Sequence, residues 1–278
     1  MDQNTAAKGF GVSGKLTAGD EGRRQGLRNW LRTTLPGLFF WLRNVVYTLQ
    51  LLRRLNGTFP RECNICGYRG FFGPVGWMPR LDCECKQCRS VERSRLLKLW
   101  FDLHPGLLEK SRVLHFAPEA GIRDWVRRMS QEYRSADYIP GRADLVLNIE
   151  AIDLPDASVD VVICSHIIDY VDEARAMHEL MRILRPGGVV LIMMATIDSW
   201  PTTYFDPNLK TPEQRMLHYG VAGRLRLYGA DFPDVISQYG FELDEYTARE
   251  PEVSRYSIGR GEKVFGAYKP ASAVAARP

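Results

Sequence analysis

Residues 159–188 constrain the fold more than any other part of the chain, because they read as one complete strand–loop–helix–turn unit. The unit begins with VDVVIC, a continuous apolar and β-branched run that is typical of strands buried on both faces of a parallel sheet. Residues 172–184 then carry apolar side chains at helical spacing, with acids early and arginines late, as the helix dipole favours. Pro186 and two glycines end this helix, and VVLIMMA begins another buried strand. The pattern predicts an α/β fold built on a parallel sheet.

Two polar residues, Ser165 and His166, follow VDVVIC at the predicted carboxyl end of its strand. Open α/β sheets bind ligands at that edge. A histidine placed there can act as a general base, so His166 is the candidate catalytic residue. A structural histidine that binds backbone groups is an equally open alternative.

Four of the six cysteines form two Cys-x2-Cys pairs, Cys63 with Cys66 and Cys85 with Cys88, separated by 18 residues. Each pair places two thiolates on one tight turn, and four thiolates complete a closed tetrahedral zinc site. Residues 59–92 are therefore expected to form a small zinc-ribbon-like module whose structural Zn²⁺ supplies much of its folding free energy. Unligated, buried cysteines are the alternative. Cys83 fits the pairing less well, and Cys164 is expected in the core.

The cysteines and the charge distribution also bear on compartment and partners. Six cysteines without a secretory signal indicate a reducing, cytoplasmic compartment. Residues 1–60 carry nine basic and three acidic residues, whereas the rest of the chain carries 28 basic and 30 acidic residues. The basic surplus therefore belongs to the N-terminal part, and a nucleic-acid partner for the main domain is not expected.

The N-terminal part is expected to be a disordered tail over residues 1–22 and a helical leader over 23–58, split at Pro36. A second tail is expected over 271–278. Within 37–55 an apolar stripe lies opposite Arg43, and that arginine leaves too short an apolar run for a membrane span. Three roles stay open for this helix: packing on the protein's own body, resting peripherally on an anionic inner membrane surface, or docking a partner.

The stretch CKQCRSVERSRLLKLWF, followed by VLHFAPE at 113–119, resembles a bacterial group of class I S-adenosylmethionine-dependent methyltransferases. In that group a Cys-x2-Cys pair precedes a Ser-Leu-Glu-Arg-His-Arg run and a Val-Leu-His-Phe-Ala-Pro-Glu segment; here Ser94 replaces the His. Residues 159–188 resemble motifs IV to VI of the same class. The resemblance spans about residues 63–269. It implies a Rossmann-like methyltransferase sheet over 93–270, with S-adenosylmethionine as the cofactor.

The first predicted strand, residues 112–116, and the helix over 122–129 are joined by the loop APEAG. Such loops are normally glycine-rich so that the backbone can approach the ligand, and only Gly121 keeps a glycine position. The resemblance implies that His115, Ala117, Glu119 and Gly121 contact the cofactor. His115 stands where many class I enzymes carry an acid. Glu119 is the candidate to replace that acid, or else a solvated acid at a helix N-terminus.

The remaining predicted cofactor contacts lie at later strand ends. Asp137 ends the second strand, where an acid can accept hydrogen bonds from both ribose hydroxyls, with capping of a turn as the alternative. Asn148 and Ile149 fall where the class usually holds the adenine, and an asparagine can hydrogen-bond it. Ser165 is expected to close the methionine end of the site.

Residues 197–230 contain too many polar and turn residues for core and are expected to form a substrate lid. The segment resembles the lid pattern of the group, in which Tyr219, Arg226 and Tyr228 match. Gly223 and Arg224 stand where the group has an Asp-His pair. The resemblance implies that the matching residues and Arg224 face the acceptor, and the two arginines can bind a carboxylate or phosphate on it. An exposed arginine on the lid surface is the alternative for Arg224.

The sequence therefore predicts an S-adenosylmethionine-dependent methyltransferase that acts on a small-molecule or glycoconjugate acceptor. Two alternatives belong to other classes. One is an RNA methyltransferase whose zinc module grips the nucleic acid. The other is a protein that binds S-adenosylmethionine without methylating, as the lost glycines and the lost Asp-His pair suggest.

Overall fold

The computed structural model describes residues 18–76 and 79–271, and the side chains of residues 18–24 are not among the described parts. Most of the two predicted tails, residues 1–17 and 272–278, lies outside the described residues. The chain divides after Leu55 into two compact units.

The N-terminal unit contains two consecutive helices, α1 (Ala18–Thr34) and α2 (Pro36–Arg54). The first begins inside the segment predicted to be a tail. Pro36 begins the second helix as predicted, because proline fits the first helical turn, where its missing N–H costs nothing. Among the described residues, no helix is both long enough and apolar enough to cross a membrane.

The C-terminal unit begins with two short antiparallel hairpins that carry the paired cysteines. The first hairpin is β1 (Pro60–Glu62) with β2 (Arg69–Phe71), and the second is β3 (Gly73–Val75) with β4 (Arg80–Glu84). One Cys-x2-Cys pair lies in the turn between β1 and β2, and the other follows β4. We call these hairpins and the turn after β4, residues 59–90, the cysteine module.

A seven-stranded sheet forms the centre of the same unit. Its strands are β5 (Arg112–Phe116), β6 (Glu132–Asp137), β7 (Leu145–Val146), β8 (Val159–Ser165), β9 (Leu184–Met193), β10 (Glu242–Thr247) and β11 (Lys263–Tyr268). Their spatial order is β10-β11-β9-β8-β5-β6-β7. The strands β5 to β9 are parallel, whereas β11 pairs antiparallel with both β9 and β10. The predicted parallel sheet is confirmed, and the structure adds an antiparallel pair at one edge.

Helices cover both faces of the sheet. They are α3 (Glu92–Asp102), α4 (Ala120–Met129), α5 (Glu173–Ile183), α6 (Pro212–Tyr219), α7 (Phe232–Ser237) and α8 (Glu252–Tyr256). In β8, Val161 and Ile163 pack with α3 and α4, whereas Val162 and Cys164 pack with α5 and α7. This alternation follows from the two-residue period of a strand, and it confirms that VDVVIC is buried on both faces.

The strand order reverses between β5 and β8. From β5 the chain runs outward through β6 to β7, and it then returns past them to β8 and continues to β9 on the other side. The loops after β5 and β8 therefore separate at the carboxyl edge and leave a crevice there, which is the position where doubly wound sheets bind ligands.

One buried arginine attaches the cysteine module to the rest of this unit. The Arg95 side chain of α3 is fully buried, and its guanidinium donates to main-chain carbonyl oxygens of two separate regions, with a further contact to the Ser90 hydroxyl at 3.4 Å. In the module it donates to Ser90 O at 2.6 Å and Cys83 O at 2.8 Å. Near the C-terminus it donates to Ser257 O at 2.8 Å and also to Tyr256 O.

We predict that Arg95→Lys lowers the free energy of unfolding by about 3 kcal/mol, because an ammonium group cannot reach these carbonyls together and leaves buried acceptors unpaired. Urea unfolding of the intact protein measures the loss. The matched control is Arg134→Lys, whose half-exposed side chain pairs only with Glu132 and which should change stability by less than about 0.5 kcal/mol. Equal unfolding midpoints for the two variants would contradict the role of Arg95.

Candidate functional site

A cavity of about 630 Å³ lies at the carboxyl edge of the sheet, where the strand order reverses. Its volume is within the range of small-molecule sites. Five of the residues predicted to serve cofactor or catalysis line it together, and they come from the carboxyl ends of four strands: Ala117, Asp137, Asn148, Ile149 and His166. Phe116, Tyr138 and Tyr170 supply aromatic walls that were not predicted.

Asp137 combines the two roles between which the sequence left a choice. One of its carboxylate oxygens accepts the N–H of Ile139 at 2.8 Å and so caps a turn. Although only 9% of the Asp137 surface is exposed, the residue lines the cavity. A carboxylate has two oxygens and several lone pairs, so the turn leaves acceptor capacity for a ligand.

Asn148 is oriented by a similar local contact. Its side-chain oxygen accepts the N–H of Glu150 at 3.0 Å. The amide nitrogen is therefore the group that Asn148 can offer to a ligand in the cavity, and it suits an acceptor such as a ring nitrogen. Ile149 beside it is buried and gives the cavity an apolar wall.

Two residues that line the cavity have backbone conformations that favour glycine. Ala117 has φ 44° and His166 has φ 54°. Each is the first residue after its strand, and each N–H donates to a neighbouring strand: Ala117 to Ala136 O at 2.8 Å and His166 to Met193 O at 2.7 Å. Left-handed non-glycine residues cost free energy and cluster at binding sites. Ala117 thus adopts at the APEAG loop the conformation that a glycine would supply.

His166 is partly buried at the cavity wall. Burial, and secondarily the positive charge of Arg93, lower the pKa of His166 to about 4. Its imidazole is therefore neutral at neutral pH and has a lone pair that can accept a proton.

The structure places His115 and Gly121 outside this cavity. His115 is buried, and its Nδ1 lies 3.1 Å from the hydroxyl of Tyr133, so its ring belongs to the packing of the sheet. A Cβ on Gly121 would lie 2.5 Å from the Cα of Ser90. Gly121 therefore allows α4 to approach the cysteine module, and this contact explains the glycine without a ligand.

Glu119 lies beside the cavity but is held by other side chains. It forms an ion pair with Arg93 and accepts a hydrogen bond from the Ser94 hydroxyl at 2.6 Å. The Ser165 hydroxyl donates to it at 3.5 Å. Neither Glu119 nor Ser165 lines the cavity, and Glu119 is not the solvated acid that the alternative expected. Ser94, which stands where the group has a His, is thus one of the residues that bind this carboxylate.

Two of the predicted substrate residues bind a buried carboxylate instead of lining the cavity. Glu173, in the first turn of α5, accepts from Arg226 at 2.6 Å and also from the hydroxyl of Tyr228. The hydroxyl of Tyr239 donates to the same carboxylate at 2.9 Å. Arg226 and Tyr228 therefore connect the end of the predicted lid, residues 197–230, to α5.

Arg224 and Tyr219 are also occupied within the protein. Nε of Arg224 lies 2.8 Å from Oδ2 of the buried Asp169, so its charge is paired. The Tyr219 hydroxyl accepts the N–H of Asp206 at 2.9 Å. Gly223, rather than Arg224, lines the cavity from the lid, next to the ring of Tyr170.

The cysteine module brings its four paired cysteines together. All four Sγ atoms lie within 4.8 Å of one another, with separations of 3.6 Å for Cys63–Cys88 and 3.7 Å for Cys66–Cys85. Zinc–sulfur bonds of about 2.3 Å in a tetrahedron place the sulfurs about 3.8 Å apart, whereas a disulfide needs about 2 Å. The four residues thus fit a structural metal. Cys83 is not part of the group, and burial raises the pKa of its thiol to about 12.

The region around β5 to β9 resembles known methyltransferases. A family model described as a methyltransferase domain matches residues 107–192. Over 100 residues the chain is 34% identical to a protein of Mycolicibacterium smegmatis named "Probable S-adenosylmethionine-dependent methyltransferase", covering 35% of this chain and 34% of that protein. Over 92 residues it is 36% identical to a malonyl-[acyl-carrier protein] O-methyltransferase of Yersinia pestis, covering 33% and 31%. The chain thus spans about a third of the length of these curated relatives.

A solved structure with a similar chain is an S-adenosylmethionine dependent methyltransferase from Mesorhizobium loti. The two are 11% identical, with a TM-score of 0.46, and the similarity covers 62% of this chain and 97% of the other.

Proposed function

We propose that this protein is an S-adenosylmethionine-dependent methyltransferase that acts on a small-molecule or glycoconjugate acceptor. The observation that carries the proposal is the cavity at the reversal of strand order. Asp137, at the end of β6, and Asn148, shortly after β7, both line it. The match of residues 107–192 to a methyltransferase domain supports it, because the matched segment supplies most of the cavity's loops.

Different residues of the cavity lining bind different parts of the cofactor. The Asp137 carboxylate accepts hydrogen bonds from the ribose hydroxyls, and Asn148 and Ile149 hold the adenine. The left-handed backbone at Ala117 keeps the loop after β5 close to the ligand. When bound, S-adenosylmethionine supplies an electrophilic methyl group, so the protein's tasks are to orient the acceptor, exclude water and take up a proton where the acceptor carries one.

His166 is the residue that we assign to the proton. Its neutral ring lines the cavity, and an imidazole of pKa about 4 is a weak base that stays unprotonated at physiological pH. The pairing of Arg224 with Asp169 removes the main support for a charged acceptor, because that guanidinium already binds a carboxylate. The near balance of acidic and basic residues after residue 60 favours a small acceptor over RNA.

We also propose that Cys63, Cys66, Cys85 and Cys88 bind one structural Zn²⁺. The sulfur separations support this assignment. The two pairs also lie in two turns of the same kind: the N–H of Gly67 donates to Cys63 O at 2.8 Å, and that of Arg89 donates to Cys85 O at 2.9 Å. The metal would crosslink a module that has little apolar core of its own.

Asp137→Ala should weaken S-adenosylmethionine binding by about ten- to hundredfold, because a charged acceptor is removed from two hydroxyls. Isothermal calorimetry with S-adenosylmethionine and S-adenosylhomocysteine measures the change. Asp234→Ala, which removes an exposed acid from α7, is the matched control and should leave the dissociation constant unchanged. An unchanged constant in Asp137→Ala would place the ribose elsewhere. Binding without transfer of a labelled methyl group to any acceptor tested would favour the non-methylating alternative.

The His166 ring should stay neutral from pH 8 down to about pH 5.5, because its pKa of about 4 lies below the ordinary value. The NMR chemical shifts of the imidazole, assigned with His166→Gln, report its protonation. In urea-unfolded protein the same ring should titrate near pH 6.5. A midpoint near 6.5 in the folded protein would show that the ring is not desolvated, and it would remove the argument for a neutral base.

Purified protein should carry one zinc per chain by elemental analysis. Cys85→Ser should abolish retention of the metal and unfold the cysteine module, because three thiolates leave the tetrahedron open. Cys83→Ser, which changes a neighbouring cysteine outside the group, is the control and should retain the metal. Unchanged zinc content in Cys85→Ser would refute the assignment.

A further inference from the structure

The helices of the N-terminal unit have a composition unlike that of the rest of the chain. Residues 22–55 contain seven arginines and no acidic residue. They also contain many aromatic and aliphatic residues, and no side chain of α2 is buried. The apolar residues of α2 are therefore not explained by a core, and the arginines are not explained by ion pairs within residues 22–55.

One face of α2 consists entirely of apolar side chains. At about 100° per residue, six of them fall within an arc of about 100°. These six are Leu38, Trp41, Leu42, Val45, Leu49 and Leu52, and all are exposed, by 37–60%. An exposed apolar surface of this kind is unfavourable in water, and it is typical of helices that bind a protein partner or a membrane.

The positive charges of α2 lie away from that arc. Arg43 and Arg54 fall on the opposite side of the helix, and the Arg43 guanidinium lies over the rings of Phe40 and Tyr47, at 4.8 and 5.9 Å. Arg53 adds a further charge at the border of the arc near the helix end. Since residues 22–55 contain no carboxylate, these charges are not neutralised within the segment.

The length and the charges of α2 suit a helix that lies in the plane of a bilayer. Its 19 residues span about 28 Å, but Arg43 lies near the middle, and α2 does not qualify as a membrane-crossing helix. A helix with an apolar face and an arginine-bearing face rests at the boundary between headgroups and acyl chains.

We propose that α2 binds the surface of an anionic lipid bilayer, with its apolar arc in the acyl boundary and its arginines among the lipid phosphates. The positive charge of residues 22–55 favours an anionic bilayer over a second copy of the chain as the binding partner of this face. Two copies packed through this face would bury the apolar arc but would leave the arginines of residues 22–55 unneutralised, whereas an anionic surface attracts every one of them. The C-terminal unit would thereby be held at a membrane surface.

Flotation of the full-length protein with phosphatidylcholine vesicles, with and without phosphatidylglycerol, tests the proposal. Binding should be at least about tenfold stronger with phosphatidylglycerol and should weaken as salt is raised. Equal binding to both vesicles, or no binding to either, would overturn the proposal.

Two substitutions at adjacent positions distinguish the contribution of the apolar face to vesicle binding from that of the charge. Leu49→Glu places a carboxylate in the arc and should abolish flotation. Gln50→Glu makes the same charge change about 80° outside the arc and should weaken binding only by about fivefold. Replacing Arg53 and Arg54 by Gln preserves the helix and should weaken binding by about fivefold for each arginine. Equal flotation of Leu49→Glu and Gln50→Glu would overturn the proposal. A dimer that Leu49→Glu dissociates, in a protein that does not float, would also overturn it and identify the face as a contact between copies.

Discussion

The buried guanidinium of Arg95 is the interaction on which the rest of the C-terminal unit depends. Its acceptors are carbonyls of the cysteine module and of the segment before β11, so one side chain from α3 fixes regions up to 162 residues away. A buried charge is tolerable only when its donors are satisfied, and here main-chain oxygens do this. The same contact reaches the start of α4, because Ser90 accepts from Arg95 and packs against Gly121. A structural metal in the module would therefore support the position of α4 as well as the module's own fold.

Two buried carboxylates, Glu173 and Asp169, perform a similar task for the lid. Glu173 binds Arg226 and Tyr228, and Asp169 binds Arg224. The group that the sequence resembles carries an Asp-His pair where Gly223 and Arg224 stand here. In this chain Arg224 pairs with Asp169, which lies between β8 and α5. Tyr170 and Gly223, the neighbours of these two charged residues, line the cavity, so its wall is aromatic rather than cationic at this place.

The residues at strand ends could be predicted, whereas the orientation of residues inside strands and loops was harder to infer. Asp137 and His166 directly end or follow strands, and parallel strands bring their carboxyl ends to one edge whatever their partners are. His115 lies within β5, two residues after Val113, and a strand's two-residue period places both on the face covered by α3 and α4. That signal was present in the sequence and argued against a ligand role. Gly121 gave no such signal, because the backbone that approaches it belongs to Ser90, 31 residues earlier.

The sequence by itself determined the buried strand β8, the helix α5 after it, the parallel sheet, and the pairing of four cysteines in two turns. These features follow from short-range periodicity and spacing, which a single segment contains completely. The sequence did not place every boundary, because α1 begins inside the predicted tail and β9 begins at Leu184, before the Pro186 that was expected to end the helix. Only the tertiary structure decided which charged groups bind one another and which face the cavity. Arg224, Arg226 and Glu119 all resemble ligand-binding residues in sequence, yet each meets an opposite charge between 26 and 55 residues away. A charge that leaves water needs a partner, and the partner is chosen by which segments the fold brings into contact.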